Sequence, residues 1–81
     1  MLINETLLKK IVADTLETDV EKISNDSNLA EDLGMDSIDL VELLIKLEDE
    51  TGLDIQAEEL IEVKSFQEVF SFLQTKASEQ S

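Results

Sequence analysis

Apolar residues return along this chain at helical intervals in three places. Leu7, Leu8, Ile11, Val12 and Leu16 keep the i, i+3, i+4 spacing of a half-buried helix and predict one over residues 5–17, with Asn4 as its N-cap. Leu40, Leu43, Leu44 and Leu47 repeat the pattern and predict a second helix over residues 37–51. Asp36 suits its N-cap, Asp39 supplies a short capping-box acid, and Gly52 suits the left-handed residue that ends it. Phe66, Val69, Phe70 and Leu73 form the third pattern, opened by the capping box Ser65-Phe66-Gln67-Glu68. A short helix fits over residues 56–61, and the polar tail at 77–81 is expected to fray.

Residues 18–35 have no such period. Ser24-Asn25-Asp26-Ser27-Asn28 is rich in loop formers, and Val20, Ile23, Leu29 and Leu33 read as anchors pinning the loop to the core. A loop this long in a small domain is more often functional than idle. With 81 residues, no proline, no cysteine and only two glycines, the expectation is one all-α domain over 1–81. Its architecture should be a small antiparallel bundle of three or four helices with a long first loop.

Charge narrows the partners. Twenty Asp and Glu face six Lys, with no Arg or His, for a net charge of −14. Nucleic acid and anionic membranes are poor partners for such a surface, whereas a basic protein would be steered to it. Solubility alone is the plainer reading of the same acids. No apolar run is long enough for a membrane span or a secretory leader, so the cytoplasm is the expected compartment and membrane insertion is not expected.

The second helix carries a further apolar set. Ile38, Val41 and Ile45 lie well over 100° from the first stripe, and a bundle this small does not easily bury both. The strip is either the flank of a wide core face or an exposed docking surface bordered by acids. At the start of this helix stands Ser37. It cannot act as a nucleophile by a Ser-His-Asp arrangement, because the chain has no histidine. Nor is there a calcium-loop pattern or a Cys/His metal set, and no metal is expected. As a substrate Ser37 is well placed, since N–H groups at a helix start lack intrahelical acceptors and favour a phosphate ester. Most Asp-Ser pairs at such positions are simply caps.

The stretch Glu31-Asp32-Leu33-Gly34-Met35-Asp36-Ser37-Ile38-Asp39 resembles the modification motif of the acyl carrier protein family. The likeness continues through Val41-Glu42-Leu43 and Leu47-Glu48-Asp49-Glu50 to Ile55, and more weakly over the whole chain. The resemblance implies a non-catalytic carrier in fatty acid or related lipid and polyketide biosynthesis. Ser37 would accept 4′-phosphopantetheine from coenzyme A through a phosphopantetheinyl transferase, and the arm would hold an acyl cargo as a thioester. Asp36, Asp39, Glu42, Glu48 and Asp49 would meet basic patches on acyl-processing enzymes, with Ile38, Val41 and Ile45 as the apolar contact and the carrier itself a monomer. Leu29, Lys46, Thr51, Gln56 and Leu60 depart from the common fatty-acid-synthesis pattern and leave the pathway open. An aminoacyl or peptidyl carrier, or an unmodified acidic interaction domain, are the alternatives.

The charge excess generates a first prediction. Repulsion among unscreened acids weakens the fold, and the Debye length shortens to about 8 Å at physiological salt. The melting temperature should therefore rise between very low and moderate ionic strength. A flat profile would show that the acids are too well separated or paired to matter.

Overall fold

The computed structural model describes residues 4–80. Four α-helices follow one another: α1 (Glu5–Leu16), α2 (Ser37–Thr51), α3 (Ala57–Ile61) and α4 (Phe66–Gln80). A 3₁₀ turn, Val20–Lys22, interrupts the loop between α1 and α2. Apart from one isolated β-bridge, Asn28 to Ser65, the described residues between the helices are turns and irregular backbone.

The helix starts are where the capping residues place them. Asn4 Oδ1 accepts from Leu7 N–H at 2.7 Å, and Ser65 Oγ accepts from Glu68 N–H at 3.2 Å while Glu68 Oε1 accepts from Ser65 N–H at 3.0 Å. The ends differ more. α1 stops at Leu16, because Glu17 turns into the left-handed region at φ 55° and Thr18 N–H reaches back to the Ala13 carbonyl at 2.9 Å. Gly52 takes the same conformation after α2, at φ 72°, where a side chain would be strained though no atom stands in its way. α4 continues past Lys76 to Gln80, so the tail expected to fray is helical that far; Ser81 lies outside the described residues. Its polar residues form helix readily once Leu73 anchors the preceding turn.

One apolar core joins the four α-helices. It takes Leu8, Ile11 and Val12 from α1, Leu43 and Leu47 from α2, Leu60 from α3, and Phe66, Val69 and Leu73 from α4. Ile23 and Leu29 enter it from the long loop, and Leu53 and Ile55 from the link between α2 and α3. Two of the four loop anchors are thus fully inside, and Leu33 packs on the rim. Val20 does not join them: it is exposed, because the backbone becomes extended at Ile23 and turns that residue inward instead. The radius of gyration of 11.5 Å matches about 11.7 Å for a folded chain of this length, so the loop is wrapped onto the helices rather than held away from them.

α3 is too short to persist alone. Leu60 buries its inner side, and Glu59 caps its start and ties it to α4: Oε1 accepts from Gln56 N–H at 3.1 Å, and both carboxylate oxygens receive Lys76 Nζ, at 2.9 and 2.7 Å. The hydrogen bond from Lys76 is the main reason the Glu59 carboxyl is held below the usual carboxylate range, and the Lys76 ammonium is raised above its own.

A depressed folded pKa gives stability that is complete above the unfolded value, near 4.3 for Glu, and is lost as the pH falls through the folded value. The raised Lys76 value acts at the other end, complete below the unfolded value and lost as alkali titrates the folded one. The stability difference between wild type and Glu59→Gln should therefore be constant near neutrality and shrink below about pH 4.3. Paired denaturant titrations across the acid range check this; a difference that grows on acidification would refute it.

Candidate functional site around Ser37

The approach to Ser37 is a tied loop. Asn28 Oδ1 accepts from the N–H groups of Ala30 and Glu31 at 3.0 and 2.9 Å, and Asp32 Oδ2 accepts from Asn28 N–H at 2.7 Å. The loop is joined to the far end of the chain by Leu29 N–H to Lys64 C=O at 3.0 Å, Phe66 N–H to Ser27 C=O at 2.9 Å and Gln67 N–H to Asn25 C=O at 3.0 Å. Leu29 C=O then accepts from Met35 N–H at 2.9 Å, two residues before the serine. Gly34, at φ 76°, makes the turn between them.

At the start of α2 the capping box is closed. Asp36 Oδ1 accepts from Asp39 N–H at 2.9 Å, and Asp39 Oδ2 accepts from Asp36 N–H at 3.3 Å. Of the four N–H groups that a helix start leaves over, these two are those of Asp36 and Asp39. The remaining two belong to Ser37 and Ile38, beside an exposed serine hydroxyl in the first helical position. Ser37 also borders a cleft of about 460 Å³ between the start of α2 and α3, lined by Met35, Leu40, Leu60, Val63 and Lys64 among others.

The rest of α2 divides by angle. With Ser37 at zero, Val41, Ile45, Ile38, Asp49 and Glu42 fall at about 40°, 80°, 100°, 120° and 140°, while Leu43, Leu47, Leu40 and Leu44 fall at about 240°, 280°, 300° and 340°. The accessibilities follow: Leu43 and Leu47 are 0% exposed, against 70% for Ile38, 50% for Val41 and 53% for Ile45. Leu40 and Leu44 are partly buried against the core. The second apolar strip therefore faces solvent, with Glu42 and Asp49 exposed alongside it. Glu48 is placed differently from these acids. It is half-buried, and its Oε2 accepts from Ile55 N–H at 3.1 Å, so it pins the link that follows α2. At about 20° it lies nearer to Leu44 than to Asp49, toward the buried side of the helix. Two participants were missed in the sequence: the Asn28–Asp32 tie, which the Asx-turn chemistry of Asn28 did hint at, and Lys64, which only tertiary pairing brings to the cleft.

Comparison with known proteins agrees with this geometry. Residues 6–73 match the family model described as "Phosphopantetheine attachment site". An acyl carrier protein of Thermosynechococcus vestitus is 44% identical over 71 residues, covering 88% of this chain and 88% of that protein. One from Buchnera aphidicola is 40% identical over 72 residues (89% and 90%), and one from Solidesulfovibrio magneticus is 35% identical over 72 residues (89% and 92%). The chain belongs to the acyl carrier protein family. Family membership makes it a non-catalytic carrier that works through a covalent 4′-phosphopantetheine. Among the described residues no helix is long and apolar enough to cross a membrane.

The carrier's departures from the common pattern have visible consequences. Thr51, where an aromatic is usual, donates its hydroxyl to Leu47 C=O at 2.6 Å and accepts from Leu53 N–H at 3.2 Å, closing the helix end by hydrogen bonds instead of ring packing. Leu29 is 1% exposed and fills its core position without a ring.

The exposed strip yields a direct comparison. Val41→Ser should leave the denaturation midpoint nearly unchanged, since half of the side chain is already in water. Leu43→Ala on the opposite face should cost about 2–5 kcal/mol. Equal losses for the two, by urea denaturation, would show that Val41 belongs to the core.

Proposed function

We propose that this acyl carrier holds its 4′-phosphopantetheine on Ser37 and docks to its enzymes through the exposed face of α2. The observation that carries the assignment is the exposed hydroxyl of Ser37, at the first position of a capped helix and inside the matched family region. The two N–H groups left over by the Asp36–Asp39 box favour a phosphate ester at that oxygen. The cleft beside it has apolar walls from Met35, Leu40, Leu60 and Val63, suited to a slender arm and a short acyl chain. Leu60, a larger residue than is frequent there, narrows the space for long chains.

In the loading reaction the Ser37 oxygen attacks the β-phosphorus of coenzyme A. An Oγ–P bond forms, the P–O–P link breaks, and adenosine 3′,5′-bisphosphate leaves. The Ser37 proton passes to a base on the transferase, since this chain has no histidine or cysteine to take it. Once attached, the arm supplies a thiol that forms a thioester with the cargo.

Docking follows from α2. Ile38, Val41 and Ile45 offer apolar contact, while Glu42 and Asp49, with Asp36 and Asp39 at the helix start, offer charge to basic patches on the transferase and the acyl-processing enzymes. A net charge of −14 disfavours self-association and supports a monomer. The proposal places the carrier in the cytoplasm.

Incubation with coenzyme A, Mg²⁺ and a broad-specificity phosphopantetheinyl transferase should add the mass of one arm to the wild type and none to Ser37→Ala. Both proteins should give the same circular dichroism. Intact-mass measurement decides it: an arm on Ser37→Ala would move the site to another residue.

A further inference from the structure

We infer that Lys64 is a positioning residue whose ammonium holds the phosphodiester carried on Ser37 and directs the arm into the cleft between α2 and α3. The inference rests on the assignment of Ser37 proposed above. Lys64 and Ser37 line the same cleft of about 460 Å³, and Lys64 is the one cation among the described residues lining it.

The two residues are held in register through Leu29. Its N–H bonds the Lys64 carbonyl at 3.0 Å, and its carbonyl takes Met35 N–H at 2.9 Å, two residues before Ser37. On its other side Lys64 N–H is fixed to Glu68 Oε1 at 3.3 Å. The backbone under Lys64 is thus clamped between the loop and α4, while its side chain is exposed.

Charge gives the lysine its task. A phosphodiester on Ser37 is an anion set beside the carboxylates of Asp36 and Asp39, on a chain of net charge −14. Only six lysines are available to offset it. Lys76 is engaged by Glu59, and Lys46 borders a separate hollow with Asp14, Asp49 and Glu50. The acid nearest in sequence to Lys64 within α4, Glu68, is already served by backbone N–H groups. These lower its pKa most, and the Lys64 ammonium is the least of the causes. A lysine ammonium on a flexible stem, with three donors, is suited to a single phosphate across a cleft. Holding the phosphate on the α3 side also leads the arm away from Ile38, Val41 and Ile45 and leaves that strip clear for an enzyme.

The test uses folded holo protein, loading confirmed by intact mass, as wild type, Lys64→Met and Lys64→Arg. The ³¹P resonance of the wild-type diester should be displaced from its position in denaturant. Most of that displacement should be lost in Lys64→Met and kept in Lys64→Arg, and it should shrink for the wild type in high salt. The Lys64 ε-carbon resonance of the wild type should also move between apo and holo forms, which needs no variant. Identical ³¹P displacement in wild type and Lys64→Met, or an ε-carbon resonance that does not move, overturns the role of Lys64 with Ser37 loading intact. An arm that still attaches to Ser37→Ala instead overturns the assignment of Ser37, and this inference with it.

Discussion

The backbone of Leu29 is the point on which the site depends. Its N–H and C=O tie Lys64, just before α4, to Met35, just before α2, while its side chain is buried in the core. Ordering each residue of the preceding loop costs about 1–2 kcal/mol of backbone entropy, and that loop has few periodic apolar contacts to offset it. What it has instead is buried Ile23 and Leu29, the Asn28–Asp32 tie, and three backbone bonds to residues 64–67. Without these, α2 could still form, but the capped end bearing Ser37 would have no fixed place relative to α3 and the cleft.

The acids of this chain do two different jobs, and the distinction changes how its charge should be read. Asp32, Asp36, Asp39, Glu48, Glu59 and Glu68 each accept a backbone N–H that would otherwise lack a partner at a turn or a helix start. For these residues a carboxylate is a structural acceptor, and hydrogen bonds to charged groups are stronger than neutral ones. Glu42 and Asp49 are exposed beside the apolar strip and are the clearer candidates for a basic partner. A count of acids along α2 does not separate the two jobs, and Glu48, with one oxygen committed to Ile55 N–H, is the instance.

Much of this was legible in the sequence because it is local. The 3.6-residue period located the helices, and Asn4, Asp36 and Ser65 located their starts, since a cap and its recipient N–H lie only three residues apart. Angular spacing separated Leu43 and Leu47 from Val41 and Ile45, because a regular helix converts sequence position into direction. The misses are of other kinds. The exposure of Val20 depends on where a 3₁₀ turn gives way to extended chain. The one extra turn of α4, residues 77–80, reflects the support of an anchored helix for a polar tail. The bond of Glu48 to Ile55 leaves the helix for the link seven residues on, and the arrival of Lys64 at the Ser37 cleft is a long-range contact; a period along one segment encodes neither.

The exposed strip and the large net charge belong to one solution. A helix with two apolar faces in a domain this small can bury one of them, because the folded chain hides only about 60% of its unfolded surface. The other face is then a liability, since contiguous exposed apolar residues invite self-association. On a chain of net charge −14, two copies repel before their strips can meet, whereas a basic surface is drawn toward the same strip. If α2 docks as proposed, the acids select against a second copy by long-range repulsion and for a basic partner by attraction. Ile38, Val41 and Ile45 can then supply short-range contact only once the pair has formed. A carrier that must bind and leave several enzymes is served by this division, because encounter is governed by charge and only a small apolar area has to be separated again on release.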